Sequence, residues 1–292
     1  MNKQKQKFAS ISKLAVVMLV ASVTFFGTFS ACTKEKEKEN PPLFRILDEA
    51  LSSEQYGVGF RKDDIALGLE VQKVFDQMLT DGTASKMSIE QFRKDYLLKD
   101  QPFLKESTAP AGDRSFEKIK ENGKLIVGGD ISSRPMFYLR TGEYRGFDVD
   151  LALEVGKRLG IPVKFKGLEW ANKEKELNEG EIDCIWSALS VTESRLKTMF
   201  FGKAYMANSS VIVVRGDSPI KKISDLEGKV VGVQLGSSHL EALEKHPVYS
   251  KIGKLITPPN AFSLFYELKA GDVDAIVMDE ISWEAIIAYF LE

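Results

Sequence analysis

The chain has 292 residues, of which 43% are hydrophobic and 28% are charged, so it can form one large or two medium domains with apolar cores. This composition excludes an intrinsically disordered protein. The formal net charge of −2, with both signs mixed along the chain, provides no basic stripe, and we expect no nucleic-acid partner.

Residues 1–32 have the pattern of a targeting segment. Lysines come first, residues 14–29 form an apolar run, and small residues precede Cys32. The segment resembles a bacterial lipoprotein signal, which implies that Cys32 is lipidated. The alternatives are a plain secretory signal or a short anchor helix, although the run is short for a span of roughly 20 residues. Residues 33–41 are polar and predict a solvated tether.

Behind the tether, two short stretches predict strands, LFRIL at residues 43–47 and YGVGFR at residues 56–61. Helices are predicted next, at residues 64–82 and 88–98. The following stretch, residues 99–115, contains Pro, Gly and Ser and predicts a surface loop. Neither predicted strand has a partner strand close to it in the sequence.

From residue 115 onward strands and helices alternate, which is typical of βαβ units. Gly160 ends the first long helix, and Ser238 with Glu241 predicts a capping box for a later one. The alternation restarts after Gly216, which predicts two α/β lobes. The predicted strands lie at residues 124–129, 163–168, 183–188, 229–234 and 273–278, and the predicted helices at residues 147–159, 171–180, 239–245 and 282–292.

Neither predicted lobe is complete by itself. The pattern leaves the second sheet short of a strand and the first sheet short of its last strand and helices. Residues 43–47 suit the second sheet, residues 56–61 suit the first, and the two early helices can cover the first sheet. We therefore expect the strands beside the tether to pair with residues far along the sequence.

In cyclic order, the stretches GFDVDLALEVGKRLG, IDCIWSALSVTESR, DLEGKVVGVQLGSS, DVDAIVMDE and YGVGFRKDD resemble the successive motifs of family 3 amino-acid-binding proteins of bacterial ABC transporters. The resemblance covers residues 120–292 followed by residues 41–100. It implies the two-lobed α/β fold of type II periplasmic binding proteins, the Venus flytrap, in circularly permuted order, with residues 99–115 joining the family's usual termini. A duplicated or truncated gene is the alternative, but no motif is repeated.

The permutation predicts the boundaries of the lobes. Lobe 1 would span residues 55–210, and lobe 2 would combine residues 42–52 with residues 214–292. Two crossovers, near Glu54 and Ser210, would then form the hinge. A protein with two lobes and two thin connections is expected to open and close around a ligand.

Arg195 is the first candidate ligand-binding residue. If Thr192 caps a helix, Arg195 lies in the first turn, where the helix dipole disfavours a cation and a bound carboxylate reverses that preference. The alternative is an exposed arginine paired with Glu193 or Asp183. The resemblance implies that Arg195 binds the α-carboxylate of the substrate.

Asp279 is the complementary candidate. It follows an apolar strand, where a carboxylate is costly to bury unless a cation or several donors satisfy it, and an α-ammonium group would do so. The alternative is an N-cap for a helix that starts near Ile281. The resemblance implies that Asp279 binds the α-ammonium group, so that Arg195 and Asp279 hold the two ends of one amino acid.

The resemblance adds weaker candidates, each of which has a structural alternative as a polar loop, a helix cap or a packing residue. Ser133 stands where many relatives carry an aromatic residue over the ligand, and Asp130 favours a polar or cationic ligand. The candidates for the head group are Ser187, Ala188, Ser190, Ser237 and Ser238, and those for the ligand side chain are Asp130, Trp170, Gln234 and His239.

Common enzyme and metal motifs such as HExxH, the P-loop and GxSxG do not occur in the sequence, and we expect no catalytic residue, metal or cofactor. The alternatives are a cyclohexadienyl or arogenate dehydratase-like enzyme on the same scaffold, and a receptor sensor module. The resemblance implies a monomer that captures an L-amino acid and delivers it to an ABC permease. It would act outside the cytoplasm, anchored by lipid to a bacterial membrane.

Overall fold

The structure, a computed structural model, describes residues 42–291, and of residues 289–291 it describes only the backbone. The described residues belong to one compact unit. The predicted lipoprotein signal, Cys32 and the tether at residues 33–41 lie outside them. No helix within residues 42–291 is both long enough and apolar enough to cross a bilayer.

The strands of the described residues form three sheets. In chain order they are β1 (Phe44–Ile46), β2 (Ser52–Tyr56), β3 (Gly59–Arg61), β4 (Leu125–Gly129), β5 (Ser132–Ser133), β6 (Phe137–Arg140), β7 (Glu143–Arg145), β8 (Val163–Gly167), β9 (Cys184–Ile185), β10 (Met199–Phe201), β11 (Met206–Arg215), β12 (Val230–Val233), β13 (Lys254–Ile256) and β14 (Ala275–Asp279). We call the five-stranded sheet, in the order β10-β3-β9-β4-β8, and its helices lobe 1. Lobe 2 contains the six-stranded sheet, in the order β1-β11-β14-β12-β13 with β2 also paired to β11.

The early strands complete both large sheets. β1 runs antiparallel to β11, with Phe44 opposite Arg215. β3 lies between β9 and β10, with Phe60 opposite Cys184 on one side and Phe200 on the other. These pairings confirm the expectation that the strands beside the tether pair with residues far along the sequence.

The first half of β11 joins the two lobes. Residues 206–210 pair antiparallel with β2, and the second half of the strand pairs with β1 and β14. Glu54 and Asn208 lie opposite each other in this ladder. Because side chains opposite each other in a ladder point to the same face, these two residues share one face of the crossing.

Helices cover both large sheets. α1 packs closely on lobe 1, where a Cβ added to Gly68 would lie 2.4 Å from the ring of Phe200. α4 ends at Gly160, which adopts a left-handed conformation with φ 68°, as the sequence predicts. The α-helices of the described residues are α1 (Ile65–Thr80), α2 (Thr83–Phe92), α3 (Ser115–Asn122), α4 (Phe147–Leu159), α5 (Lys173–Asn178), α6 (Arg195–Thr198), α7 (Ser238–Lys245), α8 (Ala261–Ala270) and α9 (Glu280–Leu291).

The second predicted helix is displaced. The sequence predicts residues 88–98, whereas α2 spans Thr83–Phe92. Arg93 adopts a left-handed conformation with φ 62°, which ends the helix. Beyond it, the hydroxyl of Ser88 accepts from Tyr96 N at 3.0 Å and donates to Lys94 O at 3.2 Å, so that the chain turns back over the helix.

Two further local predictions are wrong. Ser237, not Ser238, caps α7, because Ser237 Oγ accepts from Leu240 N at 3.2 Å and Ser238 is already the first helical residue. The strand predicted at residues 183–188 is reduced to Cys184–Ile185. Ala188 has φ 46°, a left-handed conformation that cannot continue a strand. Cys184 is fully buried, and burial raises the pKa of its thiol, as expected of an inert core residue.

Candidate functional site

The structure brings the predicted ligand-binding residues together at a small cavity between the two lobes. Its volume is about 30 Å³. Ser133 also lines the cavity, while Ser190 lies just behind it, with Oγ 3.0 Å from Ser238 Oγ. What these residues do toward a ligand stays a prediction. The predicted residues that line the cavity are Asp130, Trp170, Ser187, Ala188, Arg195, Gln234, Ser237, Ser238, His239 and Asp279.

Arg195 is a buried cation whose partners are neutral. Only 4% of the residue is exposed, which rules out the predicted alternative of a surface ion pair. Nη1 donates to Ser190 O at 2.8 Å, and Nη2 donates to Gly236 O at 3.3 Å. Among the described residues no carboxylate forms an ion pair with it. A buried guanidinium with neutral partners is suited to bind an anion, because a carboxylate would supply the missing charge and accept two of its N–H groups.

The helix-dipole argument for Arg195 is weaker than the sequence indicates. The sequence predicts Thr192 as the N-cap, but α6 begins at Arg195 and its N-cap is Ser194, although Thr192 Oγ1 accepts from Arg195 N at 3.3 Å. α6 also contains only four residues, so few peptide dipoles are aligned behind it. The affinity of this position for an anion therefore depends on the guanidinium of Arg195 itself.

Asp279 lies at the end of β14, immediately before α9. Its Oδ1 accepts from the hydroxyl of Tyr56 and, at 2.6 Å, from Asn208 Nδ2. Its Oδ2 lies 3.2 Å from His239 Nε2. These side-chain contacts differ from the helix cap given as the alternative, and they come from three separate elements.

His239 lies between two carboxylates. Its Nε2 faces Asp279, while its Nδ1 lies 2.8 Å from Ser210 Oγ and 3.6 Å from Glu54 Oε1. Burial lowers the pKa of His239, but the charges of Asp279 and Glu54 outweigh burial and raise this pKa to about 10. Burial likewise raises the pKa of Glu54, yet the charge and hydrogen bond of His239 lower it to about 2.

Within residues 42–291, one cluster has the side-chain types that could hold a metal ion. It consists of Glu54, His239 and Asp279. The two carboxylates face different nitrogens of the imidazole ring, whereas a metal ion binds one nitrogen of a neutral ring. The arrangement therefore favours a protonated His239 over a metal-bound one.

Several hydrogen bonds cross between the lobes at the cavity. Gln234 Nε2 donates to Asp130 Oδ2 at 2.6 Å. Ser238 Oγ donates to Ser190 Oγ at 3.0 Å, and Ser190 Oγ donates to Glu54 Oε2 at 2.7 Å. The lobes are thus in contact around the cavity.

A buried acid supports the loop that carries Ser187 and Ala188. Asp148, at the start of α4, accepts from Ala188 N and from Tyr205 Oη, each at 2.7 Å. Burial raises the pKa of Asp148 to about 7, against the effect of these two hydrogen bonds. The hydrogen bond from Ala188 N to Asp148 holds the left-handed turn at Ala188, and Ser187 and Ala188 line the cavity.

The sequence reasoning missed Tyr56, Asn208 and Glu54 as site residues. Glu54 lies in β2, where the sequence predicts a crossover, and Tyr56, predicted to begin the strand at residues 56–61, is the last residue of β2 instead. Neither SSEQY nor MANSS alternates apolar with polar residues, so hydrophobic periodicity does not mark these strands.

The sequence matches one protein family and is similar to known proteins. A family model described as bacterial extracellular solute-binding proteins, family 3, matches residues 125–272. The glutamine-binding protein of Geobacillus stearothermophilus is 34% identical over 181 residues, which cover 60% of this chain and 68% of the relative. Across three such curated relatives, the match spans 62–68% of the relative's length.

Solved structures give the same result. A substrate-binding protein of an ABC uptake transporter from Streptococcus pneumoniae, with bound histidine, has a TM-score of 0.59 and 30% identity over 62% of this chain and 75% of that one. The ancestral amino acid-binding protein AncCDT-1, a precursor of cyclohexadienyl dehydratase, has a TM-score of 0.56 and 32% identity over 61% of this chain and 78% of that one.

We predict that His239 stabilises the fold in a pH-dependent manner. Because its pKa is raised from 6.5 to about 10 in the folded protein, its contribution is complete below pH 6.5 and is lost as the pH rises toward 10. The free energy of unfolding should therefore fall in His239→Gln by a few kcal/mol at pH 6, and the difference from wild type should shrink toward pH 10. Urea denaturation at several pH values measures this difference in the free energy of unfolding.

His246→Gln is the matched control, since His246 accepts from Val248 N and contacts neither carboxylate. It should leave the pH profile of stability as in wild type. A constant difference between wild type and His239→Gln from pH 6 to 10 would contradict a protonated His239.

Proposed function

Because this chain belongs to the bacterial extracellular solute-binding proteins of family 3, we propose that it captures an L-amino acid between its lobes and delivers it to an ABC permease. The observation that carries this proposal is the buried guanidinium of Arg195. Its partners among the described residues are neutral carbonyl groups, and Asp279 lines the same cavity. A zwitterion supplies a carboxylate for the first group and an ammonium for the second.

Capture requires the lobes to move. Hydrogen bonds join the lobes around the cavity, including the one from Gln234 Nε2 to Asp130 Oδ2 at 2.6 Å, so the ligand enters when the lobes are apart and is enclosed when they close. The crossing of β2 and β11 is the hinge in this proposal. The closed form, populated by ligand binding, is what the permease recognises.

The head group is proposed to lie between Arg195 and Asp279. Hydroxyl and backbone groups surround it and supply further hydrogen bonds. His239 was expected at the ligand side chain, but its contacts with Glu54 and Asp279 support a place beside the ammonium group instead. The residues proposed to complete the head-group subsite are Ser187, Ala188, Ser190, Ser237 and Ser238.

The ligand side chain is proposed to be polar or basic and to meet Asp130, Gln234 and Trp170. Asp130 Oδ2 accepts from Gln234 Nε2 at 2.6 Å, and a ligand amide or cation can replace that donor. One relative is a glutamine-binding protein, and one similar structure holds histidine. Glutamine and histidine both have polar side chains.

We further propose that the chain is circularly permuted relative to its family. The family model begins at residue 125 and ends at residue 272, yet strands β1 and β3 complete both sheets from the front of the chain. Residues 42–98 would then correspond to the last part of the relatives, of whose length the matches to this chain cover 62–68%. The lobe boundaries at residues 55–210, and at 42–52 with 214–292, belong to this proposal.

The lipid anchor is also a proposal, since Cys32 lies outside the described residues. One relative, from Bacillus subtilis, is an arginine-binding extracellular protein, and the pattern of residues 1–32 supports a lipoprotein signal. The proposed protein is a monomer that is tethered to a bacterial membrane through residues 33–41.

Arg195→Ala is expected to abolish amino-acid binding because it removes the group that holds the α-carboxylate. Calorimetry with the wild-type chain and each of the twenty amino acids identifies the ligand, and the same titration then measures the variant. Lys197→Ala, an exposed change on the same short helix, should bind as wild type. Near-normal affinity in Arg195→Ala, with a thermal transition like that of wild type, would contradict the site.

A dehydratase acting on prephenate or arogenate is the second candidate, favoured by the similarity to AncCDT-1. Incubation of the wild-type chain with both compounds distinguishes the two functions. A binding protein leaves each compound chemically unchanged, whereas an enzyme consumes it.

The permutation predicts that the family order restores the same fold. A rearranged chain that begins at residue 115, runs through residue 291 and continues through a short Gly-Ser linker into residues 42–98 should unfold cooperatively and bind the same amino acid. A control that opens the chain inside β11 should not fold, because it cuts the strand shared by both lobes. Failure of the first rearrangement to fold would overturn the proposal.

Cys32→Ser is predicted to abolish lipid attachment. Cells grown with radioactive palmitate should label the wild-type chain and leave the variant unlabelled. Label on both chains, or on neither, would remove the anchor from the proposal.

A further inference from the structure

One carbonyl oxygen of lobe 2 accepts hydrogen bonds from two basic side chains of lobe 1. Gly236 O accepts from Lys173 Nζ at 2.9 Å and from Arg195 Nη2 at 3.3 Å. Lys173 also donates to Trp170 O at 3.2 Å, and its Nζ lies 4.8 Å from the centre of the Trp170 ring. Lysine is almost never fully buried without a charged partner, and Lys173 is only 3% exposed.

The two backbones meet at this point. Gly236 has φ 73°, and a Cβ added to it would lie 2.9 Å from Ala171 Cα. The loop before α7 therefore reaches the segment before α5 so closely that glycine is the residue that fits. Gly236 O and Lys173 Nζ belong to different lobes, so their bond exists only when the lobes are closed.

The charged groups around Lys173 come from three elements. Arg195, in α6, opposes its charge, while Glu174, next to it in α5, and Asp130, after β4, favour it. None of the carboxylates of residues 42–291 forms an ion pair with Nζ. Its hydrogen-bond acceptors are two neutral carbonyl oxygens, which a neutral amine can satisfy with its two N–H groups.

We propose that Lys173 is a latch residue whose Nζ binds Gly236 O only in the closed protein, and that closing the lobes releases its proton to solvent. The N–H bond of the ammonium breaks, the proton passes to water or buffer, and the amine keeps two N–H groups for its two carbonyl partners. The inference rests on the proposed function, because closing is the step that follows amino-acid capture.

The size of the effect follows from two protonation equilibria. A lysine in water has a pKa of about 10.4, whereas burial and the nearby Arg195 lower the pKa of Lys173 in the closed protein to about 7. At pH 8, closing therefore releases close to one proton. Between pH 7 and 10 the closed form becomes more favourable as the pH rises, by up to tenfold per pH unit.

Isothermal calorimetry at pH 8 tests the proton release. Titrations with L-glutamine, L-arginine and L-histidine are compared in buffers of different ionisation enthalpy, which gives the number of protons released per amino acid bound. Wild type should release close to one proton more than Lys173→Met, a change that keeps the apolar stem and removes the nitrogen. Lys175→Met, an exposed change in the same helix, should match wild type.

The pH profile provides a second readout in the same titrations. The association constant of wild type should rise relative to that of Lys173→Met from pH 7 to 10, because only wild type carries the titrating nitrogen. Equal proton release and parallel pH profiles for the two proteins would overturn the latch while leaving amino-acid capture intact.

A measurement without amino acid separates the latch from the proposed function. Small-angle X-ray scattering of the free protein should show a smaller radius of gyration at pH 9 than at pH 6 in wild type and in Lys175→Met, and no such change in Lys173→Met. If no amino acid binds but this difference appears, the latch stands and the function fails. Identical behaviour of wild type and Lys173→Met overturns the latch.

Discussion

The antiparallel pairing of β2 with the first half of β11 is the interaction on which the rest of the structure depends. It joins β2, near the start of the described chain, to β11, which also pairs with β1 and β14 in lobe 2. The same ladder sets Glu54 opposite Asn208, and the adjoining one sets Ser210 opposite Asp279. The same strand, β11, therefore connects the lobes and positions the acidic residues of the site through its two ladders.

Around the cavity, basic and acidic side chains lie in separate groups. Arg195 and Lys173 share the carbonyl group of Gly236, whereas Glu54 and Asp279 share the imidazolium of His239. Isolated buried charges are costly, so each group is stable only with its hydrogen bonds in place. A zwitterionic ligand complements both groups, which relates the electrostatics of this fold to the capture of an amino acid.

The sequence predicted the wrong environment for several residues even where it placed them near the cavity. Arg195 was expected to depend on a helix dipole, but its helix has four residues, and its burial is what matters. Lys173 was predicted only as part of a helix, because hydrophobic periodicity gives no sign that a lysine is buried at a contact between lobes. Glu54 was not predicted as a site residue, because β2 is too short and too polar to be predicted as a strand.

Sequence pattern was enough to predict the alternating strands and helices, the α/β class, the need for early strands to complete later sheets, and the ends of helices such as Gly160. These features depend on apolar periodicity and local backbone preferences, which act over a few residues. Tertiary structure alone decided that Ser237 caps α7, that His239 lies between two carboxylates and that Lys173 meets Gly236. Those contacts join residues far apart in the chain, and their charges acquire meaning only once burial removes water from around them.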